Sequence, residues 1–392
     1  MQNIASLFTQ RGIVVALMQC NMLLVVFSPD VYMGIADYYY FMALVCLISL
    51  GTLNKSNFNE VQTYLFFCIG WLLSVSLITS FILIGEFSTG YAISYVLYLL
   101  FFIVLLNYNF DTSEIRRVLD SYLWSGCLIA FLIVYYRKTF YDGQVRFTVQ
   151  VLDHPMFDPN FLGAFLVFPF IISSSKFILK RSFLYLFSTL LILCGLLMTA
   201  SRGAMLSSSF GFIFVSAQIL KKRSDFYKIF LVAILLLLLS YQFVDFIPEG
   251  SYERLFVDSY DDGSNAKRLN NWEFGIDAFF KSPLFGYGLN GEMKILRSAV
   301  HSNRVAHNTY IAFLLQFGIV GCASIMYGIV KLFRKVIKYR EYAMLGILLS
   351  TLFVNIFISG EVAIFFWFPI IYVSLMLQRI SKQRQLSFVD FL

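Results

Sequence analysis

The sequence predicts an all-α polytopic membrane protein of about twelve transmembrane helices, with one large outward-facing loop that contains an amphipathic helix. Composition is the first ground. Of 392 residues 59% are hydrophobic and 14% charged, with a mean hydropathy of +0.74; soluble domains have roughly 45–50% apolar and about 25% charged residues. Segment length is the second. The apolar residues fall into runs of roughly 17–24, enough to cross about 30 Å of hydrocarbon as helix. The third is the one long polar interruption, residues 247–307. Loops of that length without a core of their own are mostly functional or disordered, so the chemistry is sought there.

The runs lie near 13–29, 34–50, 61–84, 90–107, 118–136, 159–175, 183–200, 203–220, 228–246, 308–330, 342–358 and 362–378. An even count puts both termini on one side of the membrane. Nineteen of the 30 Lys and Arg residues fall in the terminal segments and the connections on that side, and seven of the other eleven sit in the long loop. Positive-inside bias, which weights long loops lightly, therefore places both termini in the cytoplasm and the loop outside. The same bias accounts for the net charge of +7 without nucleic acid, for which no soluble face exists. No cleavage site follows the first run, which reads as a span. No internal repeat is visible, so residues 1–392 form a single membrane domain with the 247–307 loop inside it. The six cysteines all lie in apolar runs without a CxxC and read as small core residues. No metal set is predicted.

Asp158 and Pro159 open the sixth run as a cap and a first helical residue, which suffices to explain them. In the loop, Leu269, Trp272, Ile276, Phe279 and Phe280 recur at helical spacing until Ser282-Pro283 ends the pattern. That helix lies on the outer membrane surface or roofs a cavity, and simple surface packing would give the same pattern.

Four positions stand out for chemistry. Arg202 sits between two apolar runs, where a guanidinium is costly unless it snorkels. Arg268 falls in the first turn expected for the loop helix, where a cation is disfavoured by the helix dipole unless an anion is held there too. The two guanidiniums suit a phosphate clamp. Lys267, Arg297 and Arg304 are possible helpers that equally suit a solvated loop. His307 stands where the loop re-enters the membrane and, with an ordinary pKa near 6.5, suits a base on a hydroxyl; a structural interfacial histidine is the alternative. Asn308 is placed to cap the helix that follows. Glu361, between the last two runs, is placed to orient the imidazole or meet sugar hydroxyls, or is an ordinary interfacial carboxylate.

In order along the chain, TASRGAML (199–206), AKRLNNWEFGIDAFFKSPLFGYG (266–288) and AHNTYIAFLLQFGIVG (306–321) resemble the arginine hinge, external-loop helix with its Pro-Leu-hydrophobic-Gly turn, and histidine re-entry motif of the bacterial O-antigen polymerase and O-antigen ligase superfamily. The resemblance implies an inverting, metal-independent glycosyltransferase without cofactor, acting at the periplasmic face of the inner membrane. Its donor is an undecaprenyl-diphosphate-linked oligosaccharide. Arg202 and Arg268 would bind the diphosphate and His307 would be the catalytic base. The Asp158-Pro159-Asn160 and 306–321 stretches look more like the polymerase branch, which joins repeat units of a surface polysaccharide such as O-antigen, than the ligase branch, which transfers the finished glycan to lipid A core. Two readings of other classes remain: a flippase for the same lipid-linked sugars, which would carry ionisable groups at the membrane midplane, and a structural subunit whose loop docks a chain-length regulator.

Overall fold

A computed structural model of the chain describes residues 9–27, 38–50, 60–85, 89–139, 146–150, 156–220, 264–289, 291–300 and 305–392. Its elements are α1 (Gln10–Leu24), α2 (Tyr38–Leu50), α3 (Glu60–Thr79, continuing as a π turn, Ser80–Ile84), α4 (Thr89–Asn107), α5 (Thr112–Tyr136), α6 (Pro159–Lys180), α7 (Phe183–Met198), α8 (Arg202–Ile219), α9 (Ser264–Lys281), α10 (Gly291–Val300), α11 (Thr309–Lys338), α12 (Tyr342–Val354), α13 (Ile364–Lys382) and a 3₁₀ turn, Phe388–Phe391. Between α5 and α6, β1 (Lys138–Thr139) and β2 (Phe147–Thr148) pair antiparallel with Lys138 opposite Thr148.

Five helices, α4, α5, α6, α11 and α13, are long and apolar enough to cross a membrane, as expected of an all-α polytopic membrane protein. The run expected at 228–246 lies outside the described residues. The runs expected at 34–50, 183–200 and 342–358 are helices of 13, 16 and 13 residues, roughly 20–24 Å long at 1.5 Å per residue and short of the hydrocarbon thickness. Two of them stop where the chain turns toward the polar end of the bundle. After α7, Ala200 takes a left-handed φ of 47°, and α12 ends at Asn355, whose carbonyl accepts the Thr309 N–H at 2.9 Å.

Short polar residues set the helix starts. Asp111 and Glu114 form a reciprocal capping box on α5. Asp158 accepts the Asn160 N–H with Pro159 at the first helical position of α6, and Asn308 accepts from Tyr310 and Ile311 on α11. Close helix approach comes from small residues, as membrane packing favours: a Cβ on Gly211 of α8 would meet Ile171 of α6 at 2.2 Å and Ser350 of α12 at 2.4 Å. The interior is dense in aromatics, with the Tyr122 ring 4.9 Å from Phe165 and 5.3 Å from Phe168. The six cysteines are free thiols; Cys20 is exposed on α1 and does not belong to the core.

The span expected at 308–330 is longer and broken. Gly318 takes φ 62° and ψ −170° inside α11, a conformation that glycine alone adopts readily. The turn after α9 fills the break. Tyr287 and Gly288 donate their N–H groups to the carbonyls of Leu315 and Gln316 at 2.7 and 2.9 Å, and Ile319 donates to Pro283 at 2.8 Å. Hydrogen bonds lost by the helix are thus restored by the turn. A Cβ on Gly318 would lie 2.3 Å from the Leu284 carbonyl oxygen.

One end of the bundle gathers basic side chains with partners. Arg11 bonds Glu114 at 2.7 Å and faces Asp111 at 3.5 Å, Lys176 pairs with Asp120, Arg116 donates to the Asp390 carbonyl at 2.7 Å, and Lys180 to the Leu392 carbonyl at 2.8 Å. The opposite end holds the starts of α6, α8 and α11.

Candidate active site

The starts of α6 and α8 lie side by side because Gly163 has no side chain: a Cβ there would meet Ser201 at 2.9 Å and Ala204 at 3.0 Å. Arg202 is the first residue of α8 and Asp158 the cap of α6. Arg146, just before β2, fills the space between them. It is 8% exposed, with its Nε donating to the Thr199 carbonyl at 3.1 Å and its Nη2 to Asn160 Oδ1 at 2.7 Å.

Electrostatic coupling runs through the whole group. Burial lowers the Arg146 pKa to about 10; Asp158 opposes the shift, and Arg268 and Arg202 add to it. Burial also lowers the Arg268 pKa, again opposed by Asp158 and reinforced by Arg202. Arginine stays protonated at neutral pH even so. Three guanidiniums therefore share one neighbourhood, with the Asp158 carboxylate acting on Arg146 and Arg268. With the starts of α6 and α8 contributing positive helix ends, the arrangement favours an anion.

His307 belongs to the same group. Burial holds its pKa below the ordinary imidazole value; Asp158 acts against this, and Arg268 and Arg146 act with it. The residue is left-handed, φ 50°, which costs about 1–3 kcal/mol for a residue other than glycine and persists only when its surroundings enforce it. The neighbouring main chain is held firmly. Asn271 Nδ2 donates to the Val305 carbonyl at 3.1 Å, Trp272 Nε1 to the Ala306 carbonyl at 2.7 Å, and the Ala306 N–H to Glu292 at 2.6 Å. On the other side follows the Asn308 cap. The imidazole Nδ1 is buried without a hydrogen-bond partner among the described residues.

Residues 187–326 match the family model described as O-antigen ligase. The match bears out the resemblance to the O-antigen ligase and polymerase superfamily and covers most of α7, α8 to α10 and the first part of α11. It contains Arg202, Arg268 and His307, whereas Arg146, Asp158 and Glu361 lie outside it. No curated protein matches the chain significantly.

Several details within and around the O-antigen ligase match differ from expectation. The external helix starts at Ser264, so Arg268 is its fifth residue, beyond the first turn where the helix dipole acts; its environment comes from Arg202, Arg146 and Asp158. The packed face of that helix is Asn271, Gly275 and Ala278, while Leu269, Ile276 and Phe280 are exposed. Glu361 does not orient the imidazole. It is 2% exposed and accepts from Gln316 at 3.3 Å, with its second oxygen unbonded; burial and Glu292 raise its pKa. Arg304 lies outside the described residues, and so does the side chain of Arg297.

Sequence reasoning missed Arg146 and Glu292. Arg146 stood as one more outward charge, and its only cue was apolar company, in VRFTV. Glu292 sits on α10, a helix that was not expected, and nothing in GEMKIL distinguishes it.

Proposed function

We propose that the protein is a surface-polysaccharide polymerase that joins polyprenyl-diphosphate-linked repeat units at the outer face of the bacterial inner membrane. The observation that carries this reading is the convergence of Arg146, Arg202 and Arg268 on one neighbourhood with His307, at the end of the bundle opposite the Lys- and Arg-rich end. Positive-inside bias puts that basic end, both termini and the even set of about twelve spans in cytoplasmic register, leaving the site periplasmic.

In the proposed reaction an acceptor sugar hydroxyl attacks the anomeric carbon of the donor. The new C–O bond forms as the bond to the diphosphate breaks from the opposite face, so the configuration inverts. His307 takes the hydroxyl proton, which its lowered pKa allows at neutral pH because the ring is already neutral. The departing polyprenyl diphosphate carries the negative charge, and Arg202, Arg268 and Arg146 stabilise it where it develops. The donor brings its own leaving group, so the residues present account for each step without a cofactor or metal.

The ligase reading has the family description in its favour and uses the same chemistry with lipid A core as acceptor. A lipopolysaccharide gel separates the two. Cells lacking the gene are expected to make core bearing a single repeat, and wild type but not His307→Ala restores the ladder. Bare core with accumulated lipid-linked polymer would establish the ligase. Loss of translocation of lipid-linked repeats by His307→Ala would overturn the enzyme reading in favour of a flippase.

A further inference from the structure

We propose that Trp272, Asn271 and Glu292 are positioning residues that set His307 through its main chain, so that the helix bearing Arg268 also aims the base. The inference rests on the reading of His307 as the base given above.

Histidine bases are usually oriented by a hydrogen bond to the second ring nitrogen. Here Nδ1 meets no partner among the described residues. Orientation must then come from the backbone, and the backbone is where the bonds converge. On α9, Arg268, Asn271, Trp272 and Gly275 stand at i, i+3, i+4 and i+7, on one face. Arg268 joins the cationic group, and one turn further along Asn271 and Trp272 grip the carbonyls of Val305 and Ala306. From the opposite side Glu292, 2% exposed, accepts from the Ala306 N–H at 2.6 Å and from Ser359 at 3.2 Å.

The peptide preceding His307 is therefore held at both its oxygen and the adjoining nitrogen. Beyond it, Thr309 is tied to the Asn355 carbonyl at 2.9 Å. A left-handed histidine between two such anchors has its Cα–Cβ direction fixed; released, it would relax toward ordinary backbone geometry. The small faces bring α9 close enough for the grip, since a Cβ on Gly275 would meet Ile311 of α11 at 2.8 Å. An anion drawn to Arg268 thus acts on the same rigid helix that holds the base.

The test uses purified full-length protein and lipid-linked repeat units extracted from cells lacking the gene, with formation of the two-unit product as the readout. Trp272→Phe keeps the ring and removes the N–H. The expected result is a fall of about tenfold in kcat at unchanged KM, with the acid limb of the kcat profile moved up toward the ordinary imidazole value near 6.5 as His307 leaves its recess. Asp158, Arg268 and Arg146, the charged groups facing His307, and Glu292, whose carboxyl pKa burial pushes up to about 7, are retained in that variant. Glu292→Ala should behave the same way, and Glu292→Gln, which keeps an acceptor oxygen, should restore most of the loss; this pair carries the test if Trp272→Phe does not accumulate. Wild-type kcat, or reduced kcat with the acid limb in place, would overturn the positioning role. Activity retained by His307→Ala would instead overturn the base itself, whatever Trp272→Phe does.

Discussion

The two ends of the helical bundle use the same side chains to opposite effect. At the basic end, arginine and lysine meet carboxylates or terminal carbonyls: Arg11 with Glu114 and Asp111, Lys176 with Asp120, Arg116 with Asp390 and Lys180 with Leu392. At the other end, Arg146, Arg202 and Arg268 share one neighbourhood with Asp158: burial lowers the pKa of Arg146 and Arg268, and the neighbouring guanidiniums add to it. Each of the four basic side chains at the first end has a protein acceptor. The second end brings three guanidiniums into one neighbourhood with His307 at the starts of two helices, an arrangement that favours an anionic ligand.

If the contrast holds, substitutions at the two ends should separate turnover from stability. His307→Ala should lower turnover by about 10²–10⁴-fold, the usual worth of a general base, with no change in melting temperature beyond a few degrees in detergent. Arg202→Ala and Arg268→Ala should each cost about 10²–10³-fold in single-turnover rate, as expected when a preorganised charge partner is lost, and the Lys variants should recover only part because the bidentate fork is gone. Gly318→Ala should destabilise the protein by roughly 1–3 kcal/mol, seen as a lower denaturation midpoint, because its φ is 62° and its Cβ would strike the Leu284 carbonyl. The pH profile should be asymmetric. With the His307 pKa lowered, the base stays neutral as pH falls to about 6.5, and turnover should drop only as pH passes through the lower, folded value. The smallest effect belongs to Arg11→Ala, whose side chain is 37% exposed: about 0.5 kcal/mol of stability or less and an unchanged glycan ladder. A loss of turnover there as large as that of Arg268→Ala would break the distinction between the two ends.

The sequence carried the helical membrane class, because long apolar runs and helix starts such as Asp158-Pro159 and Asn308 are local signals. It also singled out Arg202, Arg268 and His307, because a charge stands out against apolar sequence. Arg146 was not legible: its meaning depends on the start of α6 lying against the hinge after α7, a contact made through Gly163 that no spacing encodes. Glu292 was hidden for the same reason, since its partners, the Ala306 N–H and the Ser359 hydroxyl, come from distant parts of the chain. The break in α11 had a cue in Phe317-Gly318-Ile319, but apolar flanks let a hydropathy window run straight through it.

The splice between the Pro283–Gly288 turn and the two halves of α11 bears on how this protein can be recombined with its relatives. Gly288 and Gly318 stand 30 positions apart, yet the two segments complete each other's backbone hydrogen bonds. A chimaera that exchanges the external loop for another sequence but keeps its own re-entry helix would graft half of an interlocked joint. Residues 264–320 carry both halves together with the whole of α9, and crossovers placed outside that stretch keep the joint intact.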